Sequence, residues 1–204
     1  MEFKVIVDAK ARAATGCAVV GVYENGELGA ATRHLDAQLG GVIARLHAAG
    51  DFAAKLGDSL LLPHPQGSAA QRVLLLGLGA RAAFGRKQYR KALTTSAQAV
   101  LKTGSADVIV YLALEDVPGM ETAYRARAIA EVFSAQMYKI PDLKTAPKPK
   151  PPMLKLMVGG GTAPLLTTYV SHLPWPAASS DIGVPQRARS VCSGAPCHWA
   201  SAFS

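Results

Sequence analysis

Acidic side chains are what this chain most lacks, and the shortage is local. Residues 162–204 carry only three charged residues, Asp181, Arg187 and Arg189, of which one is an acid. The same stretch holds both tryptophans, two of the three cysteines and five of the thirteen prolines. Everything before it mixes charges of both signs, so the composition changes at Gly159-Gly160-Gly161. Other absences exclude whole classes of protein. Three cysteines, Cys17, Cys192 and Cys197, cannot make a disulfide framework. No apolar run approaches the eighteen residues of a membrane-spanning helix, so no membrane is expected. The opening Met1 to Asp8 has no basic segment followed by a long apolar one, which argues against a secretory signal and for a cytoplasmic protein. Aromatics make up 6% of the chain, and Ala, Val and Leu supply most of the apolar surface. That balance suits helices packed on a sheet better than an aromatic-rich β-sandwich.

What is present describes one soluble core. With 204 residues, 50% of them hydrophobic and 18% charged, the chain is globular and can bury one core and little more. Its formal charge is +8. Such a surplus favours polyanionic partners, because each neutralised phosphate releases counterions, or it reflects Lys and Arg coating exposed helix faces.

Strand and helix patterns alternate up to the triple glycine. Phe3 to Val7 and Cys17 to Tyr23 are β-rich, the second continuously apolar as expected of a strand buried on both faces. Glu27 to Ala49 has helical spacing in Leu28, Leu35, Leu39, Val42, Ile43 and Leu46, with Gly40-Gly41 dividing it in two. Gly57 to Leu62 and Arg72 to Leu78 form a strand pair across a Pro/Gly/Ser-rich loop. A helix follows from Arg86 to Lys102, stopped by Gly104, then a strand from Asp107 to Ala113. Pro118 suits the first turn of a helix reaching about Tyr138. The fold class is therefore α/β, a three-layer mixed sheet flanked by helices. The expected organisation is a domain over 1–143 with a last strand at 153–158, a Pro/Lys-rich connection at 144–152, and a tail over 162–204 that lacks any period and reads as disordered or out of frame.

Each motif has a bland alternative. Gly77-Leu78-Gly79-Ala80-Arg81-Ala82 fits the dinucleotide pattern, but no Asp or Glu occurs between Gly79 and Asp107 to hold a ribose, so it reads as a strand end. Cys192, Cys197 and His198 lack a fourth metal ligand, and Cys17 sits in an apolar strand as a small hydrophobe. His34, His47, His64, His172 and His198 are scattered and read as surface or helix-face residues. Arg81, Arg86, Lys87, Arg90 and Lys91 make the densest basic cluster. Arg86, Lys87, Arg90 and Lys91 gather at one helix start, where cations oppose the helix dipole, and are the candidate nucleic-acid contacts. No catalytic or metal-binding residue is assigned.

Leu35-Asp36, the run Gly50-Asp-Phe-Ala-Ala-Lys-Leu-Gly-Asp58, Arg72-Val-Leu-Leu-Leu-Gly-Leu-Gly79 and Tyr89-Arg-Lys-Ala92, in this order, resemble the N-terminal domain of leucyl aminopeptidases of the M17 type over about residues 1–158. The resemblance implies a macro-domain-like fold and, in the full-length family, a hexamer. It places two divalent metals, Mn or Zn, in a separate C-terminal catalytic domain, and some bacterial members of the family bind DNA. The ligand segments of that domain, similar to Asn-Thr-Asp-Ala-Glu-Gly-Arg and Lys-Gly-x-x-x-Asp-Ser-Gly, do not occur in this sequence. Two metals about 3.5–4 Å apart need several convergent oxygens, and the tail offers Asp181 alone. The expected function is the non-catalytic N-terminal domain of an aminopeptidase-like protein, truncated before the metal domain, with no cofactor of its own. The alternative is a stand-alone module for DNA or for an ADP-ribose-like ligand, with Gly159-Gly160-Gly161 as the glycine-rich phosphate loop. The tail resembles out-of-frame translation, an isoform tail or a lineage-specific extension.

Overall fold

A computed structural model describes residues 2–8, 10–137 and 155–160. The expected connection at 144–152 and tail at 162–204 lie outside the described residues, as do Cys192, Cys197, His172 and His198. The elements run β1 (Glu2–Val7), β2 (Cys17–Tyr23), α1 (Ala30–Gln38), α2 (Val42–Ala48), β3 (Ser59–Pro63), β4 (Arg72–Gly79), α3 (Arg86–Thr103), β5 (Asp107–Val110), α4 (Thr122–Met137) and β6 (Lys155–Gly160). Short 3₁₀ turns at Arg81–Ala83 and Leu112–Leu114 follow β4 and β5.

The six strands form one sheet in the order β1-β6-β5-β2-β4-β3. All neighbours are parallel except the β3–β4 pair, which runs antiparallel. The central strands are apolar throughout because both sheet faces are covered. Every residue of β2 is buried. Successive side chains of a strand point to opposite faces, and the core divides accordingly. Val19 and Tyr23 of β2, Leu74, Leu76 and Leu78 of β4, and Val108 and Val110 of β5 pack with Leu93, Ala97, Ile129 and Phe133 of α3 and α4. Val20 and Val22, Val73 and Leu75, and Ile109 pack on the other face with Leu35 and Ile43 of α1 and α2. The result is the three-layer mixed α/β architecture read from the sequence. Each fully buried Leu, Ile or Phe contributes about 1.5–3 kcal/mol of apolar burial. The edge strand β3 alternates between exposed and half-buried residues and ends at Pro63, which has no N–H to donate and is tolerated on an edge strand.

Local chemistry sets the boundaries. Gly40 and Gly41 adopt φ of 65° and 79°, which ends α1 and starts α2, and Asp36 Oδ1 accepts the Ile43 N–H at 2.7 Å as a cap for α2. The Leu35-Asp36 pair is thus a core residue beside a capping residue. Gly77 has a different requirement: a Cβ there would lie 2.1 Å from the Lys55 carbonyl oxygen. The 54–58 segment presses on β4 at that point, where Gly77 donates to Asp58 at 2.8 Å and Gly57 donates to Gly77 at 3.2 Å.

Three boundaries differ from expectation. The strand expected over Asp107–Ala113 stops at Val110, and Leu112 and Ala113 turn into 3₁₀ geometry while staying fully buried. A buried turn and a buried strand share the same unbroken apolar run, so periodicity does not separate them. Pro118 precedes α4 rather than opening it; Val117 accepts from Met120 at 3.1 Å in a turn, and the helix starts at Thr122. The last strand is shifted, and Gly159 and Gly160 pair with Ile6 and Val7. Two of the three glycines proposed as a phosphate loop are strand residues.

Candidate functional site

The basic cluster lies on the exposed start of α3. Arg86, Lys87, Arg90 and Lys91 are all exposed. At about 100° per residue, Arg86 and Arg90 share one sector of the helix and Lys87 and Lys91 the next. The arginine sector faces α4 and is already engaged. The Arg86 guanidinium stands 4.9 Å from the Tyr124 ring centre. Arg90 Nη2 pairs with Glu131 Oε2 at 3.0 Å, and Arg127 Nε reaches the other oxygen of Glu131 at 2.8 Å. Arg81 likewise pairs with Glu27 at 2.6 Å and stands over Tyr23. Lys87 and Lys91 make no ion pair among the described residues. Exposed pairs of this kind are worth about 0–1 kcal/mol and exchange readily for a phosphate. Gly85 N–H donates to Gln88 Oε1 at 3.3 Å at the helix start, and the first turn carries no acid to offset its cations.

A second cluster lies where ligands of open α/β sheets bind, outside the carboxyl ends of the parallel strands. Tyr23 ends β2, Arg81 follows β4, and Glu115 follows the 3₁₀ turn after β5. Glu115 is 3% exposed, and its carboxylate accepts one hydrogen bond among the described residues, from Tyr23 Oη at 3.2 Å. A Cβ on Gly29 would lie 1.7 Å from Glu115 Oε1, so the carboxylate sits directly against the N-cap of α1. Arg125 of α4, 8% exposed, does not bond this carboxylate. Its Nη1 donates to the Glu115 backbone carbonyl and its Nη2 to Thr122 Oγ1 at 2.7 Å, while its Nε has no partner. Burial pushes the Glu115 carboxyl up to about 7, against the opposing influence of Tyr23, Arg81, Arg125 and Arg33. Burial, then the charge and hydrogen bond of Glu115, push the Tyr23 hydroxyl up as well.

Further along the same edge, Asp8 Oδ2 accepts from Tyr111 Oη at 2.7 Å, Ala13 N at 2.8 Å and Arg12 N at 2.9 Å. Burial acts to raise Asp8, but these hydrogen bonds outweigh it and hold the carboxyl below its usual range. Tyr23, Phe84, Tyr111 and Glu115, at this end of the sheet, are all buried.

The remaining candidates are structural. Cys17 is fully buried, and burial pushes its thiol up to about 11, far from a reactive thiolate. Gly77 and Gly79 end β4, and α3 begins only at Arg86, so no helix N-terminus faces the glycine run. His34 and His64 are exposed, and His47 Nδ1 bonds the Phe52 carbonyl at 2.9 Å. Among the described residues no three His, Cys, Asp or Glu side chains gather as metal ligands, and no helix is long and apolar enough to cross a membrane. Sequence reasoning missed Glu115 and Arg125. Neither residue belongs to a motif of the sequence, and Glu115's partner Tyr23 lies 92 positions away.

The fold places the domain in a structural class. A macrodomain of Trypanosoma brucei matches it with a TM-score of 0.62 at 13% identity, over 83% of this chain and 66% of the other. A tomato leucine aminopeptidase mutant matches with a TM-score of 0.60 at 19% identity, over 84% of this chain and 35% of the other. The domain is a macrodomain-like α/β sandwich. Its sequence is more specific. Residues 19–147 match the profile of the cytosol aminopeptidase family, N-terminal domain. A probable cytosol aminopeptidase of Halorhodospira halophila is 37% identical over 149 residues, 73% of this chain and 30% of that protein. The chain belongs to the cytosol aminopeptidase family and corresponds to its N-terminal domain. It spans about a third or less of the length of the curated relatives it matches.

Proposed function

We propose that this chain is the non-catalytic N-terminal domain of a leucyl aminopeptidase-like, two-metal exopeptidase of the cytoplasm. The observation that carries the reading is coverage: the match falls on the family's N-terminal domain, and about 70% of each relative's length lies outside it. The chemistry of the described residues supports it. Half-buried Asp8 and buried Glu115, at the carboxyl ends of the strands, each accept from a tyrosine hydroxyl rather than converging on one point. In a full-length protein the domain packs on the catalytic part, which holds the divalent metals, and takes part in a hexamer. The test is release of a chromogenic leaving group from a leucine substrate with added manganese or zinc. No chelator-sensitive turnover is expected from this chain; activity that survives purification and disappears with chelator would overturn the reading.

A second reading, weak binding of DNA, is supported by the +8 charge and by four exposed cations at one helix start. If all four contact phosphates, the log–log salt slope on duplex DNA is about −3.6. Lys87→Ala with Lys91→Ala should reduce its magnitude by about 2, since these lysines carry no competing acid. Fluorescence anisotropy across a salt series reads this out, and an unchanged slope leaves the cluster as a solvated helix face.

A further inference from the structure

We propose that Asn25 is a self-modification site: its side-chain amide is converted to aspartate and isoaspartate through a succinimide, with His47 as the neighbouring base. Asn25 is the single asparagine of the chain and is followed by Gly26. Both lie in the turn that joins β2 to α1, and Asn25 is exposed to water. Ring closure requires the Gly26 nitrogen to attack Cγ of Asn25, and a side chain on residue 26 would shield that nitrogen. Glycine leaves it open, and the turn holds Gly26 at a φ of 78°, where other residues are strained. Asn25 Oδ1 accepts the Glu27 N–H at 3.1 Å, which folds the side-chain carbonyl back over its own following peptide and polarises it.

His47 of α2 supplies what an isolated turn lacks. A Cβ on Gly26 would lie 2.8 Å from His47 Cδ2 and 3.0 Å from Nε2, so this edge of the ring packs on the glycine. His47 Nδ1 bonds the Phe52 carbonyl at 2.9 Å. A carbonyl oxygen only accepts, so Nδ1 carries the hydrogen and the neutral ring presents its Nε2 lone pair to the turn. One contact opposes the reaction: the Gly26 N–H donates to the Tyr23 carbonyl at 2.9 Å. That bond must open first, and in an exposed turn such an opening is among the least costly in a fold. The proton then passes from the Gly26 nitrogen to Nε2, the nitrogen bonds to Cγ, and the amide nitrogen takes the proton back and leaves as ammonia. Water opens the ring. Breaking the bond to Cγ gives aspartate; breaking the bond to the Asn25 main-chain carbonyl carbon gives isoaspartate, with an extra methylene in the backbone. The balance is an amide and a water consumed, a carboxylate and ammonium formed. The new charge sits between Glu24 and Glu27, the acid that pairs with Arg81.

Incubation of the full chain at neutral pH, followed by mass spectrometry of its peptides, tests the site. A synthetic peptide of residues 21–30 is the reference, since it contains the Asn-Gly step without His47. Asn25 in the folded chain should convert at least as fast as in the peptide, giving both product forms, and Asn25→Ser should remove the signal. His47→Asn has an amide that can still donate to the Phe52 carbonyl but cannot take a proton, and should slow conversion about tenfold or more. Free imidazole should restore the rate in His47→Gly, which a purely structural role for the ring does not produce. Conversion slower than in the peptide, or a rate unchanged by His47→Asn, would overturn the proposal. Should the variants fail to fold, the parent is compared with its urea-unfolded form, and conversion that speeds up on unfolding refutes it.

Discussion

Replacing Glu115 by glutamine should make the protein's stability less sensitive to pH, by an amount the structure sets. Glutamine keeps the volume and the neutral hydrogen-bonding character of the protonated acid, and removes the titration. In the fold, burial holds the carboxyl near 7, against a usual 4.5. At about 1.4 kcal/mol per pH unit, the full difference is about 3 kcal/mol. The sign follows from proton binding. The folded state binds the proton more tightly, so between pH 4.5 and 7 the folded protein carries protons that the unfolded chain has lost, and stability falls as the pH rises. The contribution is whole below 4.5 and gone above about 7. Other groups titrate too, but they titrate alike in both proteins and cancel in the difference. Urea unfolding followed by circular dichroism at pH 5, 6, 7 and 8 should show the variant gaining about 2–3 kcal/mol on the parent across that range, with equal m-values. A gap that stays constant within about 0.5 kcal/mol would show that Glu115 is ionised in the fold at all these pH values, and would refute both the burial argument and its magnitude.

Gly77→Ala should destabilise the domain by about 3 kcal/mol or more in the same urea assay, because the new methyl meets backbone atoms of Ala54 and Lys55 that cannot rotate away; a loss under about 1 kcal/mol would mean the 54–58 segment shifts freely. Phe133→Ala, which empties a fully buried site between α4 and the sheet, should cost about 3–5 kcal/mol. Cys17 should resist a thiol reagent in the folded protein at pH 8 and react on unfolding, as read by peptide mapping, and rapid native labelling would contradict its burial.

The repeating local features of this fold were legible in the chain itself. The unbroken apolar runs of β2 and β4, the Gly40-Gly41 pair that divides α1 from α2, and the hairpin pattern that pairs β3 with β4 follow from local hydrophobicity and backbone freedom, which neighbouring residues decide. The motif that resembles the aminopeptidases was legible too, and its residues prove to be packing devices: Asp36 caps α2, Gly77 admits a crossing backbone, and Tyr89 Oη bonds the carbonyls of Leu112 and Arg125. Tertiary structure decided the electrostatics. Arg86, Lys87, Arg90 and Lys91 form one basic run in sequence, yet α4 divides them: Tyr124 engages Arg86 and Glu131, 41 positions away, engages Arg90, while the two lysines make no ion pair among the described residues. Glu115 follows an apolar run as a loop acid would, and becomes a buried carboxyl only because β5 and β2 are neighbours in the sheet. Hydrophobic periodicity is a property of consecutive residues. Burial and pairing of charge depend on which distant elements the topology brings side by side.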